Sequence, residues 1–168
     1  MNGGASITPR NRLVLDFFSH AALMPMNCAA SASVMVDVNR LTTPANMRWK
    51  LIDRQTGKEG GAIDWRFAVG DQIKIRIVNE MDSDHPMHHP FHIHGAGRFL
   101  VLARNGHEDA NLVWKDTVLV RTGETVDIVL SVTHPGSWMA HCHIAEHHES
   151  GMMLHFHVDQ ETSPEDRS

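Results

Sequence analysis

Two short stretches of this chain concentrate side chains that can hold a metal ion. The first reads His85-Pro-Met-His88-His89-Pro-Phe-His92-Ile-His94-Gly95, and the second reads His141-Cys142-His143-Ile-Ala-Glu-His147-His148-Glu-Ser-Gly151-Met152. Together they hold most of the 14 histidines. On a β-strand, side chains two apart share a face and neighbours point to opposite faces. His92 and His94 therefore project together, and so do His141 and His143. Cys142, between the latter two, must point the other way. Parity also sets His89 opposite His92 and His94, an inference that Pro90 loosens.

Two ligand sets follow. Cys142 and His147 lie in one loop with Met152 beyond them, and His89 arrives from a distant strand. Two imidazoles, a thiolate and a weak thioether are the donors of a blue copper electron-transfer site. Zinc is usually given more thiolates or a carboxylate, and thioether is a poor ligand for it. The other set, His92, His94, His141 and His143, has no sulfur and suits copper that meets oxygen. His141 and His143 flank Cys142 covalently, so the two sets are joined by a short through-bond route. A lone His-x-His on a strand is commonly a solvated face. Two such pairs, with a Cys inside one and His and Met at set distances beyond, are not explained that way. His155 and His157 form a further pair on the face opposite Leu154, Phe156 and Val158, read here as exposed or lining an interdomain surface. His20, His107 and His134 have no partners in sequence and read as surface residues. Of the 10 methionines, only Met152 is singled out, because Met is more often core filler.

The elements that must position these residues show a period of two from Trp49 onward. Ile73, Ile75 and Ile77 alternate with polar residues after Gly70-Asp71. Val118 and Val120 alternate likewise, Gly123-Glu124 turns the chain into Val126, Ile128 and Leu130, and Leu154, Phe156 and Val158 close the series. Short strands punctuated by Asn105-Gly106 and Pro135-Gly136 predict an all-β, Greek-key sandwich or barrel over residues 45–160. Residues 1–44 read as a lead-in or linker. Leu13 to Ala32 has the outline of a signal peptide, but Asp16 and His20 interrupt it and Pro25 breaks it. Residues 161–168 read as a polar, frayed tail.

Composition limits the alternatives. The chain has 168 residues, 42% of them hydrophobic, which suits one core. A net charge of -5 without a basic stripe argues against a nucleic-acid partner. There is no apolar run long enough for a membrane span. The only cysteines are Cys28 and Cys142, so if Cys142 is a ligand, Cys28 is a free thiol.

Both motifs resemble those of the multicopper oxidases, the family of laccases, ascorbate oxidase and bacterial copper-tolerance oxidases. His89-Pro-Phe-His92-Ile-His94-Gly95 is similar to the family's His-Pro-x-His-x-His-Gly. His141-Cys142-His143-x-x-x-His147-x-x-x-x-Met152 is similar to its His-Cys-His-x-x-x-His-x-x-x-x-Met. Both lie in the family's last, plastocyanin-like (cupredoxin) domain. The resemblance implies type 1 copper on His89, Cys142, His147 and Met152, type 2 copper on His92, and a type 3 pair on His94, His141 and His143. It implies electron entry from a reducing substrate, a small molecule such as a phenol or a metal ion, at type 1 copper, with Cys142, His141 and His143 leading to a trinuclear site that reduces O2 to water.

The family's remaining four histidines come from an N-terminal cupredoxin domain. No equivalent motif precedes Trp49, so the expectation is that another domain or subunit supplies them and that this chain alone does not reduce oxygen. Some relatives place a carboxylate directly after the second type 1 His, where it assists proton delivery. Here that position is His148, with Glu146 and Glu149 nearby. Family resemblance also implies a periplasmic or extracellular location. The alternative is a stand-alone blue-copper electron carrier, which needs neither His143 nor His92-x-His94. A nitrite reductase module does not need His143, and a copper-sequestering protein does not need such spacing.

Overall fold

The computed structural model describes residues 11–21, 47–81 and 86–160. Alternation decides the strands. Strand β4 (Gln72–Asn79) buries Ile73, Ile75 and Ile77 almost completely while Lys74 and Arg76 face outward. Strands β8 (Thr117–Val120) and β11 (Met153–Asp159) repeat the pattern with Val118 and Val120, and with Leu154, Phe156 and Val158. Strand β9 (Thr125–Val132) runs between β4 and β6 (Gly97–Arg104). Being internal it is buried on both faces, and Asp127 is tolerated there because Arg76 and Lys74 pair with it.

Among the described residues, eleven strands form two sheets. The first has the order β2-β1-β4-β9-β6-β7, where β1 is Asn11–Ala21, β2 is Met47–Asp53 and β7 is His107–Glu108. The second has the order β3-β11-β10-β5-β8, where β3 is Asp64–Ala68, β5 is His89–Ile93 and β10 is Gly136–Cys142. Pairing is antiparallel except for β1 with β4 and β3 with β11. Leu51, Ile75, Phe91, Phe99, Ile128 and Leu154 fill the core, each at most 1% exposed. A fully buried side chain of this size contributes roughly 1.5–3 kcal/mol. Asn105 (φ 49) and Gly106 (φ 80) carry the two-residue turn from β6 to β7, the left-handed pair a type I′ hairpin requires.

The all-β sandwich expected from the period-two pattern is the fold observed. The reading of residues 1–44 as a lead-in outside the sandwich needs correction at Asn11–Ala21, which is a strand between β2 and β4. Leu13, Leu15 and Phe17 have the alternation of a strand, and Leu15 is fully buried. The polar residues that argued against an apolar segment, Asp16 and His20, sit at alternate positions of that strand. The rest of residues 1–44, Cys28 among them, lies outside the described residues, as do His85 and the expected tail 161–168.

For the site, the decisive pairing is β5 with β10. Their register sets His92 opposite His141 and Phe91 opposite Cys142. The two motifs, about fifty residues apart in sequence, thereby become neighbours in one sheet.

Candidate metal centre

The inner side of this sheet holds the sulfur-containing set. Cys142 is fully buried, His89 is 2% exposed and His147 is 4% exposed. The Cys142 Sγ lies 3.6 Å from Nδ1 of His89 and 3.6 Å from Nδ1 of His147, and the two Nδ1 atoms are 3.1 Å apart. Among the described residues this is the one group of three such donors that converges, all within 4.8 Å of one another. His147 reaches the pocket on a short helix, α1 (Ala145–Glu149), that follows β10 directly. The loop then folds back: the Met152 amide donates to the His147 carbonyl (2.9 Å), and the Cys142 amide donates to the Met152 carbonyl (3.0 Å). Met152 is thereby held beside Cys142 and is fully buried.

Trp49 walls the pocket. Its ring stacks on His147, with centroids 3.7 Å apart and planes inclined by 20°, and meets His89 edge-on at 5.4 Å. Burial governs protonation here, pushing His89 down to about 3 and the Cys142 thiol up to about 11. Two imidazole nitrogens and a buried sulfur converging on one point are the donor chemistry of a soft or borderline cation, and they fit copper.

The opposite side carries the four imidazoles. His92 and His94 are half-buried, His141 is buried and His143 is exposed. The His94 and His141 Nε2 atoms are 2.9 Å apart. The His92 ring centroid lies 4.6 Å from that of His94 and 5.7 Å from those of His141 and His143, while His141 and His143 are 5.5 Å apart. His141 Nδ1 donates to the Cys142 carbonyl at 2.7 Å, and since a carbonyl only accepts, its Nε2 carries the lone pair. Burial first, and neighbouring imidazoles after it, lower the basicity of His94. Burial likewise lowers that of His141, against an opposing hydrogen bond to Cys142. Both shifts favour the neutral, metal-binding form of His94 and His141.

Seven of the eight residues singled out in the sequence thus fall into two groups on opposite sides of β10, and Met152 is tied to the first group through backbone hydrogen bonds. His155 is exposed and His157 half-buried, and His107 and His134 are exposed. The His20 side chain lies outside the described residues. Sequence reasoning missed the contacts of Trp49, Asp116 and Thr117. His92 Nδ1 meets the Asp116 carbonyl at 3.0 Å and the Thr117 hydroxyl at 2.9 Å. His148, noted only as the residue after His147, lays its ring 4.7 Å from that of His141. The available signal was periodicity: Thr117 opens the alternating stretch that pairs with His92. Beside His92 a cavity of about 500 Å³ opens between Gly95, Arg98, Trp114, Asp116 and Thr133.

A cupredoxin-like sandwich with a buried pocket of one cysteine and two histidines, and a second histidine cluster across the sheet, defines a copper-binding domain. Residues 32–162 match the multicopper oxidase family, and the chain belongs to that family, whose cofactor is copper. It is 34% identical to an oxidoreductase of Aspergillus fumigatus over 63% of this chain and 18% of that protein. It is 36% identical to a multicopper oxidase of Staphylococcus aureus over 54% of this chain and 21% of that protein. Among solved structures, a multicopper oxidase from Pediococcus acidilactici superposes with a TM-score of 0.59 at 28% identity, over 96% of this chain and 28% of that one. A multicopper oxidase from Campylobacter jejuni shares the fold, with a TM-score of 0.64 at 22% identity over 94% of this chain and 31% of that one. The chain spans about a fifth of the length of these curated relatives. Among the described residues, no helix is long and apolar enough to cross a membrane.

Proposed function

We propose that this chain is the C-terminal copper domain of a laccase-like multicopper oxidase. His89, Cys142, His147 and Met152 would hold type 1 copper, His92 type 2 copper, and His94, His141 and His143 the type 3 pair. Bound copper supplies one-electron oxidation of a reducing substrate at the first set and reduction of O2 to water at the second. One observation carries the reading. Cys142 enters a buried pocket with His89 and His147, while its covalent neighbours His141 and His143 turn to the opposite side and meet His92 and His94.

The residues' own tasks follow from this placement. The sandwich keeps the thiol and its two imidazoles away from water. The Cys142 carbonyl orients His141, so the residue that supplies sulfur to one set also positions a ligand of the other. A simple electron carrier has no use for four neighbouring imidazoles on the other side. The cluster's exposed side, at His143, is where a second cupredoxin domain or subunit would add the remaining histidines. The reducing substrate would be a phenol-like small molecule or a metal ion. The protein would work in the periplasm or outside the cell, in keeping with the family.

The test is oxygen uptake recorded together with blue absorbance. The copper-loaded chain alone should be blue yet consume little oxygen with a phenolic reductant, and assembly with a partner presenting two His-x-His pairs should switch uptake on. In the assembly His143→Ala should keep the blue colour and lose uptake. Oxygen reduction intact in that variant would favour the electron carrier instead.

A further inference from the structure

We propose that Thr117 and Asp116 are a positioning pair for His92, fixing its ring with the proton on Nδ1 and leaving Nε2 as the nitrogen that can bind metal. The inference deepens the reading of His92 as a copper ligand, and its first test does not depend on that reading.

The pair is built by strand register. β5 and β8 are antiparallel neighbours, with His92 opposite Thr117 and Phe91 opposite Val118. Directly paired residues share a face of the sheet, so the threonine side chain rises beside the imidazole while Val118 goes to the core. Thr117 Oγ1 lies 2.9 Å from His92 Nδ1. The Asp116 carbonyl lies 3.0 Å from the same nitrogen and also accepts the Ile93 amide at 3.0 Å. A carbonyl has only lone pairs to offer, so Nδ1 carries the hydrogen and donates.

The threonine hydroxyl could face either way, and Asp116 decides which. The hydroxyl donates to the Asp116 Oδ1 at 3.0 Å, and the carboxylate is an acceptor held on its other oxygen by Arg98 at 3.2 Å. With its hydrogen committed there, Thr117 Oγ1 presents a lone pair to His92. Donation therefore runs in one direction, from the imidazole to the hydroxyl and from the hydroxyl to the carboxylate. Outer contacts of this kind fix the tautomer and orientation of a ligating histidine and raise its basicity. His141 obtains its orientation from the carbonyl of the next residue in its own strand. His92 draws on a different strand and on a side chain as well as a carbonyl, so a single substitution removes one of its two acceptors.

Thr117→Val deletes the hydroxyl at nearly constant shape, and Thr117→Ser retains it. In the copper-free full chain with 15N-labelled histidine, the ring nitrogens should report the Nδ1-protonated tautomer for His92 in the parent and in Thr117→Ser. In Thr117→Val the ring proton should exchange about tenfold faster, as loss of one hydrogen bond implies. In the assembled protein Thr117→Val should weaken copper at the histidine cluster by about 10- to 100-fold, with the blue absorbance of the Cys142 set unchanged and Thr117→Ser behaving as the parent. An Nε2-protonated His92 in the parent, or a Thr117→Val chain with parental ring exchange, overturns the proposal. So does parental copper affinity in Thr117→Val. The ring measurement needs no copper, so its failure is distinguishable from failure of the oxidase reading.

Discussion

One peptide unit separates two contrasting environments. On the inner side, His89, Cys142 and His147 are exposed by no more than 4%, and Trp49 packs against both histidine rings. On the outer side, His143 is exposed and His92 and His94 are half-buried, with a cavity of about 500 Å³ alongside. The same alternation that makes a sandwich produces both, because successive residues of β10 must go to opposite faces. The contrast teaches that enclosure follows donor chemistry. The cysteine sulfur is enclosed by the sandwich and shielded from oxidants by its burial. The imidazole cluster is partly exposed to solvent.

The sharpest way to break the comparison is to remove the sulfur. Cys142→Ser should abolish all blue absorbance of the copper-loaded chain, since thiolate-to-copper charge transfer needs that one atom. Retained colour would show that the chromophore is elsewhere. The outer cluster should still form, because His92, His94, His141 and His143 make their contacts through ring atoms and backbone that serine leaves in place.

A stability measurement tests enclosure directly. Trp49 is 3% exposed and packs on both pocket imidazoles. Trp49→Ala should therefore cost about 3–5 kcal/mol in urea unfolding of the copper-free chain. His143→Ala, at an exposed position, should stay within about 0.5 kcal/mol of the parent. Equal losses would mean that the outer cluster is as much a part of the core as the pocket.

Met152 offers a finer probe of the same pocket. Fully buried and tied by backbone bonds to Cys142 and His147, it fits the role of a weak axial donor. Met152→Leu preserves volume closely, so the fold and blue colour should survive while the reduction potential rises. Voltammetry reads that shift, and loss of all copper would assign Met152 a structural task instead.

Legibility in the sequence followed locality. Ile73 to Ile77, Val118 to Val120 and Leu154 to Val158 announced their strands because alternation needs only neighbours, and those strands are where it placed them. The opposite facing of Cys142 and its flanking histidines was legible for the same reason. Trp49 was not, since its stacking on His147 joins residues almost a hundred positions apart. Nor was the Thr117 contact with His92, which exists only once β5 and β8 are in register. Asn11–Ala21 was read as part of a lead-in or linker because Asp16 and His20 interrupt its apolar residues, and its parallel pairing with β4 depends on a crossover no local pattern reveals.

A control far from both metal sets separates local enclosure from general softening of the sandwich. Asp127, on β9 of the other sheet, accepts from Arg76 Nε at 2.7 Å and from a terminal nitrogen at 2.8 Å, with Lys74 at 3.3 Å. The Arg76 hydrogen bond, aided by Lys74, holds the Asp127 carboxyl below its ordinary range against the opposing effect of burial. A carboxyl depressed in the folded state stabilises the fold above its unfolded value of about 3.9, and that contribution is lost as pH falls through the lower folded value. Because Arg76 is half-exposed, the contribution should be only about 1 kcal/mol. Asp127→Asn should accordingly lower stability by about that amount at pH 7. The gap to the parent should narrow as the pH is taken from about 5 toward 2. The blue absorbance at neutral pH should be untouched. A pH-independent gap would mean that packing, not the ion pair, sets the cost, and a changed spectrum would couple the far sheet to the pocket.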